Sequence, residues 1–290
     1  MNATILIDNT PHPTKSLASE HGLSVYFEID GLKCLLDVGA SPLFEENARS
    51  LGISIEAVDY LFLSHAHSDH LGGLARFLEV NSHAKVFLSC RMRGQQFFST
   101  RGEKKHFIGF DSTLFATHSA RLCWMDGTNV ALTPHLVVLG NIPLHYSIPK
   151  ANRTLRIFDE STGIETSDLF AHEMALAVRS ANGWIVFSGC SHRGLLNILT
   201  EAKHYIESID NTSSNSIIAC IGGTHLLDSN ENYAFESDEE IATIADILLS
   251  NYPQMALYTG HCTGAKVQQL LHKKLGIQMN AFYTGASYNF

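Results

Sequence analysis

No apolar run in this 290-residue chain approaches the roughly 18–20 residues needed to cross a bilayer, so no helical membrane span is expected. The opening segment, MNATILIDNT, has neither a basic region nor a long apolar stretch, and no signal peptide is read there. Positive charge is scarce. Lys and Arg number 20 against 29 Asp and Glu, a net of −9, which argues against a nucleic-acid-binding or anionic-membrane surface. The six cysteines (34, 90, 123, 190, 220 and 262) include no C-x-x-C pair and no small-scaffold framework. In a chain of this length without an export signal, reduced thiols are expected over disulfides, and with them a cytoplasmic location. No linker separates two independent halves, so one domain over 1–290 is expected. With 45% hydrophobic and 17% charged residues, the chain can bury a core, which excludes a disordered protein. What it has in excess is histidine, 16 residues against 20 Lys and Arg, and that count calls for metal or proton-transfer chemistry.

Periodicity gives an α/β class. Residues 4–8, 23–29 and 33–38 read as strands, with Asp30-Gly31 marking a hairpin turn. Residues 41–52 read as a helix, with Ser41 as cap, Pro42 in the first turn and Gly52 as stop. The run VDYLFLS (58–64) reads as a strand buried on both faces, followed by a helix at 71–79 and a strand at 84–89. The second half repeats this grammar. A hairpin joins 171–180 to 184–189 across Asn182-Gly183, strands fall at 216–223 and 255–260, and helices at 193–209, 237–251 and 265–276. Two sheets packed face to face with helices outside would bury all of these apolar faces. Residues 90–130 break the rhythm. Between 91 and 105, five cations (Arg91, Arg93, Arg101, Lys104, Lys105) meet one carboxylate, Glu103, a local net of +4. The segment reads as an insertion or lid over a site that meets anions, or as a solvated loop face. Its Phe97-Phe98 pair would stack on a flat heterocycle or, by default, pack the lid.

The chemistry concentrates in Ser64-His65-Ala66-His67-Ser68-Asp69-His70-Leu71-Gly72-Gly73. His65 and His67 are two apart, so in extended chain both rings face one way and can grip one ion. Asp69 and His70 fall at the turn into the helix, where they can face a second. A lone histidine is usually packing; four ligand-type residues in six positions are not.

This H-x-H-x-D-H string resembles the signature of the metallo-β-lactamase fold superfamily. Leu35-Leu36-Asp37-Val38-Gly39 resembles the family's early strand-end Asp, which supports the metal loop from behind. Thr259-Gly260-His261-Cys262 resembles its late His motif, and Ser188-Gly189-Cys190 stands where most members carry a bridging Asp and some a Cys. The resemblance implies a four-layer αβ/βα sandwich and metal ligands His65, His67, Asp69, His70, Cys190 and His261. A further His ligand is expected one hairpin before Cys190. His172 is the slightly favoured candidate; His192, two residues after Cys190, competes as ligand or substrate contact. Four strings (20–24, 189–192, 222–226 and 258–264) also resemble the dihydropterin ribofuranosylaminobenzene 5′-phosphate synthase-like branch; His225, which follows a strand and a Gly pair, is expected to reach the same cleft as a substrate contact, or else to be packing. The remaining nine histidines, His21 among them, fit no ligand spacing and default to surface or core.

By implication the site holds two divalent ions, zinc being favoured by a Cys190 thiolate, with manganese or iron as alternatives. A water or hydroxide bridging them would serve as nucleophile, oriented by Asp69. The expected activity is a metal-dependent hydrolase or phosphoryl or phosphoribosyl transferase. Its expected substrate is a small anionic molecule, phosphorylated and in one version pterin-related. A non-catalytic sensor that keeps the metals is the alternative.

Overall fold

The computed structural model describes residues 1–209 and 215–290. Two seven-stranded sheets carry the structure. The first runs from edge to edge as Ser287–Asn289, Asn2–Ile7, Ser24–Ile29, Leu32–Leu36, Tyr60–Phe62, Lys85–Ser89 and Leu122–Met125. The second runs as Met279–Ala281, Ala256–Thr259, Ile217–Ile221, Trp184–Ser188, Ala175–Arg179, Leu136–Leu139 and Asn129–Thr133. Alternation along each strand sets the layers, because successive side chains leave opposite faces of a sheet. Ile185 and Phe187 enter the core between the sheets with Val25, Phe27, Leu36 and Phe62 of the first sheet. Trp184 and Val186 face the other way, onto the helices Leu195–Ile209, Asp238–Asn251 and Ala265–Leu275. On the outer face of the first sheet, Leu35, Leu61 and Val86 pack on the helices Leu43–Ser50 and Leu74–Val80. The layers are helix, sheet, sheet, helix, as the periodicity implied.

Phe27 and Phe187 stack across the seam with ring centroids 4.7 Å apart, and neither is exposed. Phe27→Ala removes one half of that inter-sheet contact. It is expected to cost about 3–5 kcal/mol, read as a shift of the denaturation midpoint at constant slope.

Several local expectations meet their physical causes. The Asp30-Gly31 turn has φ of +53° and +77°, the primed geometry that matches strand twist. Ser237 caps the helix Asp238–Asn251 through a reciprocal box with Glu240. The helix expected at 71–79 is instead two pieces, Ser68–Leu71 and Leu74–Val80, interrupted at Gly72-Gly73. Asp69 and His70 therefore lie inside a helical turn rather than before it. The segment 90–130 divides. Leu122–Met125 and Asn129–Thr133 join the main sheets, whereas Gln95–Ser99 and His106–Phe107 form a third sheet with Leu155–Asp159 and Ile164–Ser167.

Candidate metal centre

Strand ends from both main sheets converge on one place. The segment after Tyr60–Phe62 brings His65, His67, Asp69 and His70. The segment after Trp184–Ser188 brings Cys190 and His192, that after Ile217–Ile221 brings His225, and that after Ala256–Thr259 brings His261. Their backbones are bent to fit. Asp37, Phe170, Ser191, His225 and His261 all have φ between +50° and +61°, a region that residues other than Gly rarely occupy.

Hydrogen bonds fix the ring tautomers. His70 Nδ1 donates to Asp37 Oδ2 at 2.7 Å, so its Nε2 carries a lone pair. Asn9 Oδ1 accepts from Gly22 N at 3.2 Å and from His261 Nδ1 at 3.1 Å, which leaves a lone pair on His261 Nε2. These two Nε2 atoms face each other at 3.0 Å. Cys190 Sγ stands 3.2 Å from the first and 3.3 Å from the second, and Asp69 Oδ2 lies 3.6 and 3.4 Å from them. Opposed lone pairs beside a carboxylate repel unless a cation lies among them; in the metal-free chain a proton serves, because Cys262 and Asp69 outweigh burial and raise His261 to about 9. Ligand atoms about 2.0–2.3 Å from a tetrahedral ion sit roughly 3.3–3.8 Å from one another, close to the separations found.

A second group lies alongside. Ser64 Oγ donates to Asp37 Oδ2 at 2.7 Å and accepts from His65 Nδ1 at 2.9 Å. That leaves the Nε2 lone pair of His65 facing His67 Nδ1 at 3.2 Å. His192 Nδ1 donates to Asn152 Oδ1 at 2.9 Å, and its buried Nε2 has no partner among the described residues. The ligand atoms of His65, Cys190 and His192 all lie within 4.8 Å of one another, as do those of Cys190, His225 and Cys262. Burial, reinforced by neighbouring imidazoles, holds His65 and His192 well below the ordinary histidine value, and burial takes His67 down to about 3. Neutral imidazole is the form that binds a metal. Burial opposes ionisation of Asp69, yet the imidazoles of His70, His261 and His67 outweigh it and hold the carboxyl well below its usual range. The donor chemistry thus fits divalent cations.

The model of the metallo-beta-lactamase superfamily matches residues 20–86, the stretch that contains the histidine string. Over its whole length the chain superposes on the crystal structure of Tm1679, described as a metal-dependent hydrolase of the beta-lactamase superfamily. The TM-score is 0.78 at 27% identity, covering 100% of this chain and 99% of that one. The chain has the metallo-beta-lactamase fold, and its histidine string matches that superfamily's model. In sequence, the chain is 27% identical over 286 residues to the 7,8-dihydropterin-6-methyl-4-(beta-D-ribofuranosyl)-aminobenzene-5'-phosphate synthase of Methanocaldococcus jannaschii, covering 94% of this chain and 90% of the relative. A second, uncharacterized protein of that organism is 27% identical over 289 residues, covering 97% of this chain and 96% of its own length. The metallo-beta-lactamase fold, the match of that superfamily's model to the histidine string and a synthase among the relatives support a metal-dependent enzyme.

The structure brings together His65, His67, Asp69, His70, Cys190, His192, His225 and His261, with Asp37 behind them. His172 does not join these ligand groups. The strand expected from 171 begins only at Ala175, and the turn before it, with Phe170 at φ +54°, directs His172 Nε2 onto Asp168 Oδ2 at 3.1 Å. His192 occupies the place beside the pair instead, its ring centroid 4.8 Å from that of His65 and 4.9 Å from that of His67. Phe170 stacks on it at 3.9 Å. The buried Glu173 accepts from the backbone N–H groups of His192 and Arg193 at 2.7 and 2.6 Å, and burial pushes its carboxyl up to about 7.

Sequence reasoning missed several participants. Asp8 accepts from the His261 backbone N–H at 2.7 Å. Asn9 and Asn152 set tautomers. His21, read as surface, lies 3.3 Å from Asp69 Oδ2 and stacks on His261. Cys262 accepts from His225 N at 3.3 Å. Cys262 and His21 were visible, inside the strings around 261 and 20–24. The partners Asp8, Asn9 and Asn152 had no local signal.

Proposed function

We propose that this chain is a metal-dependent enzyme acting on a small, phosphorylated, anionic molecule, by hydrolysis or by phosphoryl or phosphoribosyl transfer. The observation that carries the reading is the opposition of the His70 and His261 lone pairs at 3.0 Å, flanked by Asp69 and Cys190. In this reading Asp69, His70, Cys190 and His261 hold one ion, and His65, His67 and His192 hold another. Zinc suits this mix of imidazole, thiolate and carboxylate. Such an ion, when bound, acidifies water and neutralises charge on an attacked phosphoryl or carbonyl centre.

The chain's own residues do the rest. Asp37 holds His70 directly and His65 through Ser64, while Asn9 and Asn152 hold His261 and His192. These bonds keep ligand nitrogens unprotonated without a search over tautomers. Asp69, kept ionised, aims one oxygen into the cleft and can receive a proton there. His225, its buried ring nitrogens without a hydrogen bond among the described residues, lines the same cavity and would contact the substrate. The substrate class is supported by the relative, whose name describes a ribofuranosyl phosphate product bearing a dihydropterin.

The test is the Asp69→Asn variant, assayed for metal by elemental analysis without a His-tag and for turnover on a panel of phosphoesters, lactones and pterin phosphates. Loss of one ion with a fall in turnover of about 10²–10⁴ is expected, the range typical of a lost acid–base or ligand group. Full loading with unchanged turnover removes Asp69 from the chemistry. Saturable binding without product in the wild type makes the protein a sensor.

A further inference from the structure

Of the five cations between 91 and 105, one faces the metal centre. Arg101 follows the strand Gln95–Ser99 and is the one Lys or Arg in the wall of a cavity of about 540 Å³ that His67, Asp69, Cys190, His192 and His261 also line. Lys105 by contrast is paired with Glu165, and the Arg93 guanidinium lies 4.0 Å over the Trp124 ring, away from that cavity.

Arg101 has almost no partners. Its Nη2 reaches the neutral Thr154 Oγ1 at 3.3 Å, and its buried Nε has no acceptor among the described residues. The guanidinium lies 5.9 Å over the Phe235 ring. No carboxylate among the described residues lies within ion-pair distance of it. Burial holds its pKa below the ordinary arginine value, while Tyr233 and, less, the sulfurs of Cys262 and Cys190 pull the other way. An unpaired guanidinium at a cavity wall is costly, and proteins retain one where a ligand completes it. Its planar fork matches phosphate or carboxylate through two parallel hydrogen bonds. On the same wall, His225 has both ring nitrogens buried without a partner among the described residues, and its backbone N–H bonds Cys262.

We propose that Arg101, assisted by the His225 ring, is the anchor for a terminal oxyanion of the substrate, gripping it inside the metal-site cavity. The proposal rests on the functional reading above and names the group that the site recognises. A phosphate monoester and a carboxylate share this chemistry; the dianion gains more from the fork and is the expected ligand.

The experiment uses metal-loaded protein and calorimetric titration with phenyl phosphate and, separately, glutarate. Wild type, Arg101→Met and Arg101→Lys are compared, with metal content and Tm measured on each. Phenyl phosphate affinity is expected to fall about tenfold to a hundredfold in Arg101→Met, the worth of hydrogen bonds to a charged group. It should fall less in Arg101→Lys, which keeps the charge but loses the fork. Metal content should be unchanged. Tm should hold or rise in Arg101→Met, because an uncompensated buried charge has been removed; a purely structural arginine would lower it. A larger loss for glutarate than for phenyl phosphate assigns the subsite to a carboxylate and overturns the phosphate assignment. Equal affinities in wild type and Arg101→Met overturn the anchor, as does a wild type that binds neither anion. Both results leave the metal count and the turnover panel to judge the enzyme reading by itself.

Discussion

Stripping the metal-replete protein with a strong chelator is expected to abolish turnover and to lower Tm on the order of 10 °C, both restored by added zinc. The argument is linkage. An ion that binds the folded chain at a thousand times its dissociation constant stabilises it by about 4 kcal/mol. The unfolded chain keeps the short string 65–70 but offers no comparable cage, because His70, Cys190 and His261 are separated by 120, 71 and 191 residues in sequence. Removing the ion leaves the two ring nitrogens 3.0 Å apart beside Asp69, so a proton must take the ion's place, and the neighbouring Cys262 and Asp69 raise His261 to about 9 to hold it. The check is differential scanning calorimetry with elemental analysis on the same sample. A verified metal-free protein with the original Tm and rate ends the metal-dependent reading.

Asp37→Asn should have the next largest effect, although Asp37 belongs to none of the ligand groups. The carboxylate accepts three bonds: Oδ1 from Ser64 N at 2.7 Å, and Oδ2 from Ser64 Oγ and His70 Nδ1, each at 2.7 Å. An amide has one acceptor oxygen, so its NH₂ must face at least one of these donors. Nothing nearby relaxes. A Cβ on Gly189 would already meet Ser64 Oγ at 2.1 Å and Asp37 Oδ2 at 3.2 Å, so no water fits between. With the amide nitrogen at the Oδ1 position Ser64 N loses its acceptor; with the amide turned over, His70 loses the bond that fixes its tautomer and His65 its support through Ser64. Metal affinity is expected to fall about 10–100-fold, measured by competition with a chromophoric chelator. Stability should fall by about 1–3 kcal/mol for each donor left buried and unpaired. A variant with wild-type affinity and stability would falsify the role given to Asp37.

What the sequence disclosed was local. The spacing within His65–His70 is short-range geometry, and so are the Asp30-Gly31 turn, the Ser237 cap and the alternation that sorts residues 184–187 between layers. These needed no knowledge of the rest of the chain. The unread parts depend on distant contacts. Asp8 and Asn9 orient His261 from more than 250 residues away, and no periodic signal marks them. The slight preference for His172 over His192 rested on the family's spacing of one hairpin before Cys190; the turn through Phe170 sets His172 on Asp168 and leaves the His192 ring beside His65 and His67. The third sheet escaped notice because its strands are two to five residues long and mix polar with apolar positions.

The donors come from both halves of the sandwich: His65, His67, Asp69 and His70 from one sheet, Cys190, His192 and His261 from the other. Ions seated there would act as rivets across the seam, fastening two half-shells that otherwise adhere through apolar contact and a few polar bonds such as Asp8 to His261 and Asp30 to His135. A riveted seam resists being peeled apart, so mechanical pulling should separate the sheets at higher force with the ions in place. It also sets an order of assembly, since neither half presents a complete cage until both have docked.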